Sequence, residues 1–202
     1  NDVIYEDIRA YLEACRRAAR PKPQAASDTA IVIQGPYYKD LTPLVLRHFA
    51  HNYPEMQIIV STWAGTPQEC LEDARPFADE VLVSEPPAYG GLGNRNFQIV
   101  SSRAGVRRAV ERGAARVLKT RSDTFLLGKG LFHQMEALRR NYDDSRAKSL
   151  GLGGRLVVLD NCSNKFLPYS VSDLMTYGHA EDVLAYWDCP LDERELIWDN
   201  SR

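Results

Sequence analysis

Amide, hydroxyl, aromatic and charged side chains crowd the ends of the short apolar runs in this chain. Gln34-Gly35-Pro36 ends the run AIVIQ, Ser61-Thr62-Trp63 ends QIIVS, and Lys119-Thr120-Arg121-Ser122-Asp123 ends RVLK. Asn94-Arg95-Asn96-Phe97-Gln98 stands at the head of a long helical pattern. Asn94, Asn96 and Gln98 offer paired donors and acceptors that suit hydroxyls or a base edge. Lys119 and Arg121 offer positive charge for a phosphate. Asp123 is a carboxylate able to hold a divalent cation or a sugar hydroxyl. Gly35 and the Gly90-Gly91 pair permit close backbone approach, and a helix starting near Arg95 presents N–H groups to an anion. Together these groups suit a nucleoside diphosphate carrying a polar group. No Walker A lysine loop occurs and no GxGxxG follows the first run, which argues against an ATPase and a nicotinamide enzyme.

Other residues invite weaker readings. Glu181 and Asp182 fall in the first turn of an expected helix, where acids offset the macrodipole. His179 precedes them and reads as a cap or surface residue before it reads as a metal ligand. His48 and His51 lie three apart without an HExxH pattern and read as a solvated face. Asp160 ends a run and suits a sugar contact or a loop cap. The arginines between Arg103 and Arg116 spread around a helix and read as a solvated face. Ser101-Ser102 lies inside a helix with no GxSxG elbow, and Cys162 has no histidine near it in sequence.

Five apolar runs position these groups: residues 30–34, 57–61, 80–84, 116–119 and 155–159. Between them lie helical patterns: one from Thr42, an expected N-cap with Pro43 in the first turn, and one opened by the capping-box spacing Thr66-Pro67-Gln68-Glu69. Others cover residues 95–111, 131–140 and 179–187. Strands alternating with helices predict an α/β fold, a mostly parallel sheet with helices on both faces. Ligands of such sheets bind beyond the carboxyl ends of the strands, where the polar groups gather. Ahead of this unit, residues 3–19 predict a helix with Ile4, Ile8, Leu12 and Cys15 on one face and Tyr11 beside it. Arg20-Pro21-Lys22-Pro23 stops it. The expected division is residues 1–28 as helix and linker and residues 29–202 as the main domain.

The 202 residues are 44% hydrophobic and 26% charged, an ordinary globular composition. Lys+Arg number 25 and Asp+Glu 27, so no basic excess points to nucleic acid. No apolar run approaches the ~20 residues of a membrane span. Cys15, Cys70, Cys162 and Cys189 show no CxxC spacing and read as reduced thiols of a cytosolic protein. The first residue is Asn1 and no signal-peptide pattern follows, which is compatible with a piece of a longer protein.

The order IVIQGP, IIVSTW, then GNRNFQIVSSRAGVRRAVERGAARVLKTRSD resembles the WavE lipopolysaccharide-synthesis family, and more broadly glycosyltransferases of the GT-A fold. VVLDNCSNKFLPYSVSDLMTYGHAEDVLAYW carries the same resemblance, with a Ser-Asp pair before an aromatic-Gly turn and a helix. It covers about residues 31–187. It implies a GT-A-like, Rossmann-like nucleotide-sugar-binding domain, with the acceptor site C-terminally incomplete if later segments are needed. The implied activity is transfer of a sugar from a nucleotide-sugar donor to a glycan or lipid-linked acceptor, in bacterial lipopolysaccharide or capsule synthesis. The implied place is the cytoplasm, at the inner face of the cytoplasmic membrane if the association is peripheral. Donor-binding residues would be Gln34, Gly35, Ser61, Trp63, Asn94, Asn96, Gln98, Lys119 and Arg121. Asp123 matches the last position of a DxD motif, so it would serve catalysis and hold Mn or Mg. Arg121 stands at the first position, where the pattern has an acid, and puts that cation in question. Asp173 is the candidate acceptor-side base, with a turn cap as its plain alternative. The competing reading is a non-catalytic carbohydrate- or partner-binding module of a larger polysaccharide synthase. A nucleotidyltransferase would need Asp123 and Asp160 to form a metal-binding pair.

Overall fold

The computed structural model describes residues 10–15, 17, 27–128, 130–160, 163 and 171–194. The chain runs β1 (Thr29–Gln34), α1 (Thr42–Asn52), β2 (Gln57–Trp63), α2 (Gln68–Ala74), β3 (Glu80–Ser84), α3 (Arg95–Glu111) and β4 (Arg116–Arg121). It continues with α4 (Leu131–Arg140), α5 (Ser145–Ser149), β5 (Val157–Val158), β6 (Met175–His179) and α6 (Ala180–Trp187). A 3₁₀ turn, Leu92–Asn94, leads into α3. The six strands form one sheet in the order β3-β2-β1-β4-β6-β5. The first four are parallel, and β6 runs antiparallel to both of its neighbours.

β1 is buried along its whole length because both faces of the sheet are covered. Successive side chains of a strand point to opposite faces. Ile31 and Ile33 therefore meet Val45, Leu46 and Phe49 of α1, while Ala30 and Val32 meet Ile99, Val106 and Ala109 of α3. α4 adds Met135 to the first core, and α6 adds Val183 and Trp187 to the second. α3 lies close against the strands through Gly105. A Cβ there would stand 2.4 Å from Val32 Cγ1 and 3.2 Å from Ser61 Cβ. Gly105→Ala is expected to cost about 1–2 kcal/mol, because overpacking outweighs the gain in helix propensity. A urea midpoint equal to the wild type would refute that close packing.

The sheet is mostly parallel, as expected, and is mixed through the reversed strand β6. The fifth run, expected at 155–159, narrows to Val157–Val158. The antiparallel strand β6 replaces what the sequence suggests is an aromatic-Gly turn. Gly178 explains the misreading, since glycine inside a strand resembles a turn. In the fold it admits Leu156, whose Cδ2 would lie 2.5 Å from an added Cβ. The Thr66 capping box does not form: α2 starts after Pro67, and Thr66 Oγ1 donates to the Trp63 carbonyl at 2.8 Å. Leu41, not Thr42, holds the N-cap position of α1.

His48 is no part of a solvated face. It is buried, its Nε2 lies 3.2 Å from the Leu126 carbonyl, and its Nδ1 hydrogen-bonds with the Tyr11 hydroxyl. Burial lowers its pKa. Residues 10–15 are helical and Cys15 is buried, whereas Ile4 and Ile8 lie outside the described residues. Among the described residues Cys15, Cys70 and Cys189 are free thiols, and no helix is long and apolar enough to cross a membrane. Cys162 lies outside the described residues.

Candidate functional site

From β1 the chain proceeds outward through β2 to β3, while β4 lies on the other side of β1. The carboxyl ends of β1 and β4 thus flank the point where the order of strands reverses, which is where open α/β sheets bind ligands. A cavity of about 440 Å³ opens there. Its floor is Gln34-Gly35-Pro36 from β1 and Arg121-Ser122-Asp123 from β4. Tyr38, Trp63 and Phe97 form aromatic walls, and Gly93, Asn94 and Gln98 close the side toward α3.

Backbone and hydroxyl bonds fix the floor. Ser122 N donates to the Gln34 carbonyl at 2.8 Å, and Ser122 Oγ donates to the Pro36 carbonyl at 2.7 Å. Thr42 Oγ1 accepts from Tyr38 N at 2.9 Å and donates to the Ser122 carbonyl at 3.1 Å. Gly35 sits at φ 124°, and a Cβ there would lie 2.9 Å from Ser122 Oγ, so both conformation and space favour glycine. Ser101 Oγ stands 2.6 Å from Gln34 Oε1 and 2.8 Å from the Phe97 carbonyl, which ties the end of β1 to α3. Trp63 and Phe97 meet edge to face, with centroids 5.3 Å apart and planes at 87°.

Arg121 and Asp123 form a bidentate pair. Nε donates to Oδ1 at 2.8 Å and Nη2 to Oδ2 at 2.7 Å. The third guanidinium nitrogen reaches Asp173 Oδ2 at 3.4 Å. Hydrogen bonding from Arg121 is the largest influence on Asp123 and lowers its pKa, so the carboxylate stays ionised. The same fork raises the pKa of Arg121. This arrangement does not suit a divalent cation. Both oxygens of Asp123 already accept from a cation, and the residue two positions earlier is that cation. Among the described residues no group of three or more His, Cys, Asp or Glu side chains could hold a metal ion. Asp160 is exposed and does not line the cavity.

Gln34, Gly35, Trp63, Asn94, Gln98, Arg121 and Asp123 from the sequence expectation thus border one cavity, with Asp173 beside it. Three others do not. Ser61 is fully buried beneath α3 and lends only its carbonyl, which accepts from Gly35 N at 3.0 Å. Lys119 is fully buried one pleat below Arg121, under the Trp187 ring, and cannot touch a phosphate in the cavity. Asn96 is also fully buried. Its Nδ2 donates to the carbonyls of Tyr89 at 3.2 Å and Asp192 at 2.9 Å, and its Oδ1 accepts from Asp192 N at 2.7 Å. Helical geometry explains the split: Asn94 and Gln98, four apart, share a face, and Asn96 lies on the opposite side. The anion site expected at the head of α3 is partly closed as well, since Asn96 N donates to the Gly90 carbonyl at 2.8 Å. Sequence reasoning missed Tyr38 and Phe97, although the Tyr37-Tyr38 doublet directly after Gly35-Pro36 was a signal.

The late acidic and imidazole groups serve the other end of the sheet. Asp182 accepts from Gly153 N and Gly154 N, each at 2.9 Å. His179 presents both ring nitrogens to arginines, Arg116 at 2.7 Å and Arg139 at 3.2 Å, a poor setting for a metal ligand.

No curated protein matches the chain. Residues 29–201 match a family described as WavE lipopolysaccharide synthesis. The match takes in the whole sheet and every residue of the cavity, so the chain belongs to the WavE lipopolysaccharide synthesis family, which implies involvement in lipopolysaccharide synthesis.

Proposed function

We propose that this protein is a nucleotide-sugar-dependent glycosyltransferase of surface polysaccharide synthesis, with a GT-A-like domain. The observation that carries the reading is the cavity at the strand-order reversal, where aromatic walls, amides and an arginine–carboxylate pair face one space. Trp63 or Tyr38 stacks on a base or sugar face, Gln34, Asn94 and Gln98 meet hydroxyls or a base edge, and Arg121 meets the diphosphate. In the transfer the acceptor oxygen bonds to the anomeric carbon. The bond from that carbon to the diphosphate breaks, its electron pair leaves with the nucleoside diphosphate, and Asp173 takes the acceptor's hydroxyl proton. Asp123 holds Arg121 and faces the sugar. No divalent cation enters this scheme, because Asp123 is committed to Arg121.

Calorimetry with UDP-, GDP- and ADP-sugars tests the reading. One of them should bind in EDTA, and added Mg²⁺ or Mn²⁺ should not tighten it. Trp63→Ala should weaken that binding by about 1–3 kcal/mol, the worth of one base–aromatic stack. Absence of heat with every donor, beside binding of an oligosaccharide, would favour a carbohydrate-binding module of a larger synthase instead.

A further inference from the structure

The charges at the cavity do not balance for an anionic ligand. Arg121 contributes one positive charge, and Asp123 and Asp173 contribute two negative ones within its reach. A diphosphate placed there adds more negative charge in a partly buried setting, and both oxygens of Asp123 already accept from Arg121. One further cation stands behind this trio. Lys119 is fully buried on the α3 and α6 side of β4. Its Nζ donates to the Asp173 carbonyl at 2.5 Å and lies 4.2 Å from the centroid of the Trp187 ring. Its cross-strand neighbours are Val32 and Thr176, both neutral. The charged groups that act on it are Asp173, beside the cavity, and Arg121 and Asp123, which border it. On α6, burial raises the pKa of Tyr186 and the charges of Cys189 and Asp173 add to it, while Arg103 and Arg107 of α3 are turned toward Asp188.

We propose that Lys119 is the proton-switchable counter-cation of this site: an anionic ligand held by Arg121 binds together with one proton from solvent, which Lys119 takes up. An apolar residue would fill this buried position at less cost, because an ammonium loses its hydration there. Burial lowers its pKa to about 7, and the acids Asp173 and Asp123 oppose that shift. A group so poised responds to added charge near neutral pH. An anion beside Arg121 acts on Lys119 in the same direction as the two acids, toward the protonated form. Lys119 thereby supplies charge without touching the ligand, and it positions Asp173 through the carbonyl bond.

The inference rests on the nucleotide-sugar reading, and calorimetry separates the two. UDP-glucose, GDP-mannose and ADP-glucose are suitable probes near neutral pH, since a doubly esterified diphosphate stays fully ionised there, and ADP-glucose, whose base has no acidic N–H, extends the range to alkaline pH. Binding heats are measured in EDTA in buffers of different ionisation enthalpy. In the wild type the bound donor should take up a fraction of a proton that approaches one as pH rises past neutrality. Its Kd should weaken toward about tenfold per pH unit on the alkaline side. Lys119→Met should bind more weakly, with no proton uptake and a flat pH profile. Binding with no uptake in the wild type, or equal uptake in the folded Lys119→Met protein, overturns the inference and leaves the donor reading standing. If that variant does not fold, the wild-type Kd profile alone decides: a flat profile overturns it. No heat with any donor overturns the donor reading and this inference with it.

Discussion

Arg121→Met should lower sugar transfer by about two to three decades, the equivalent of roughly 2–4 kcal/mol of transition-state stabilisation. The guanidinium is the one group that joins both carboxylates to the cavity, donating to Asp123 through two nitrogens and to Asp173 through the third. Removing it leaves two carboxylates facing the leaving diphosphate with no cation between them. Arg121→Lys should recover only part of the loss, because a point charge cannot reproduce the fork. Asp123→Asn should also abolish transfer while keeping the fold, since the amide retains the shape and loses the charge. Thermal unfolding separates this from a structural effect. The pair is partly exposed, so its contribution to stability is at most ~1 kcal/mol. If Arg121→Met transferred sugar at a near-normal rate, the pair would be only a surface brace, and the catalytic role of Asp123 would fall with it.

The parts of this fold that the sequence reveals are those with one dominant physical cause. β1, β2 and β4 are apolar runs because both faces of the sheet are covered along them. Their polar ends border the site because a parallel sheet leaves loops at its carboxyl edge. Gln34, Trp63, Arg121 and Asp123 were legible on that ground alone. What was hidden depends on direction and depth. Lys119 and Arg121 share a strand and a parity, yet one lies under Trp187 and the other opens to the cavity, a difference set by where α6 ends. β6 was hidden because its defining residue, Gly178, serves the approach of Leu156 from a distant segment. Two residues apart on one strand, Arg121 and Asp123 could be expected to pair, but not in the bidentate form they take. A carboxylate two residues from an arginine can meet that arginine, a ligand or a cation. Only the geometry shows both oxygens accepting from the guanidinium.

Asn96 carries the largest expected effect on stability. Asn96→Ala should cost about 1–3 kcal/mol, because it leaves the carbonyls of Tyr89 and Asp192 and the N–H of Asp192 without that partner in a partly buried place. Its amide joins three segments: the loop after β3, the first turn of α3 and the stretch that follows α6. Gly91 packs directly on it, since a Cβ there would stand 3.0 Å from Asn96 Cγ. Gly93 and Asn94, which border the cavity, belong to the same turn. The site should therefore loosen with the fold, and donor affinity should fall even where the variant stays folded. Asn96→Asp makes the sharper test. The carboxylate still accepts from Asp192 N, but it turns acceptors toward the Tyr89 and Asp192 carbonyls. Burial and that repulsion should raise the pKa of the new acid above its unfolded value. The protonated form regains a donor, so stability should be greatest at low pH and fall as pH rises through the folded pKa. Urea midpoints between about pH 4 and pH 8 read this directly. A slope absent in Asn96→Asp, or an Asn96→Ala protein within about 0.5 kcal/mol of the wild type, would mean that the three segments are held by packing and not by this amide.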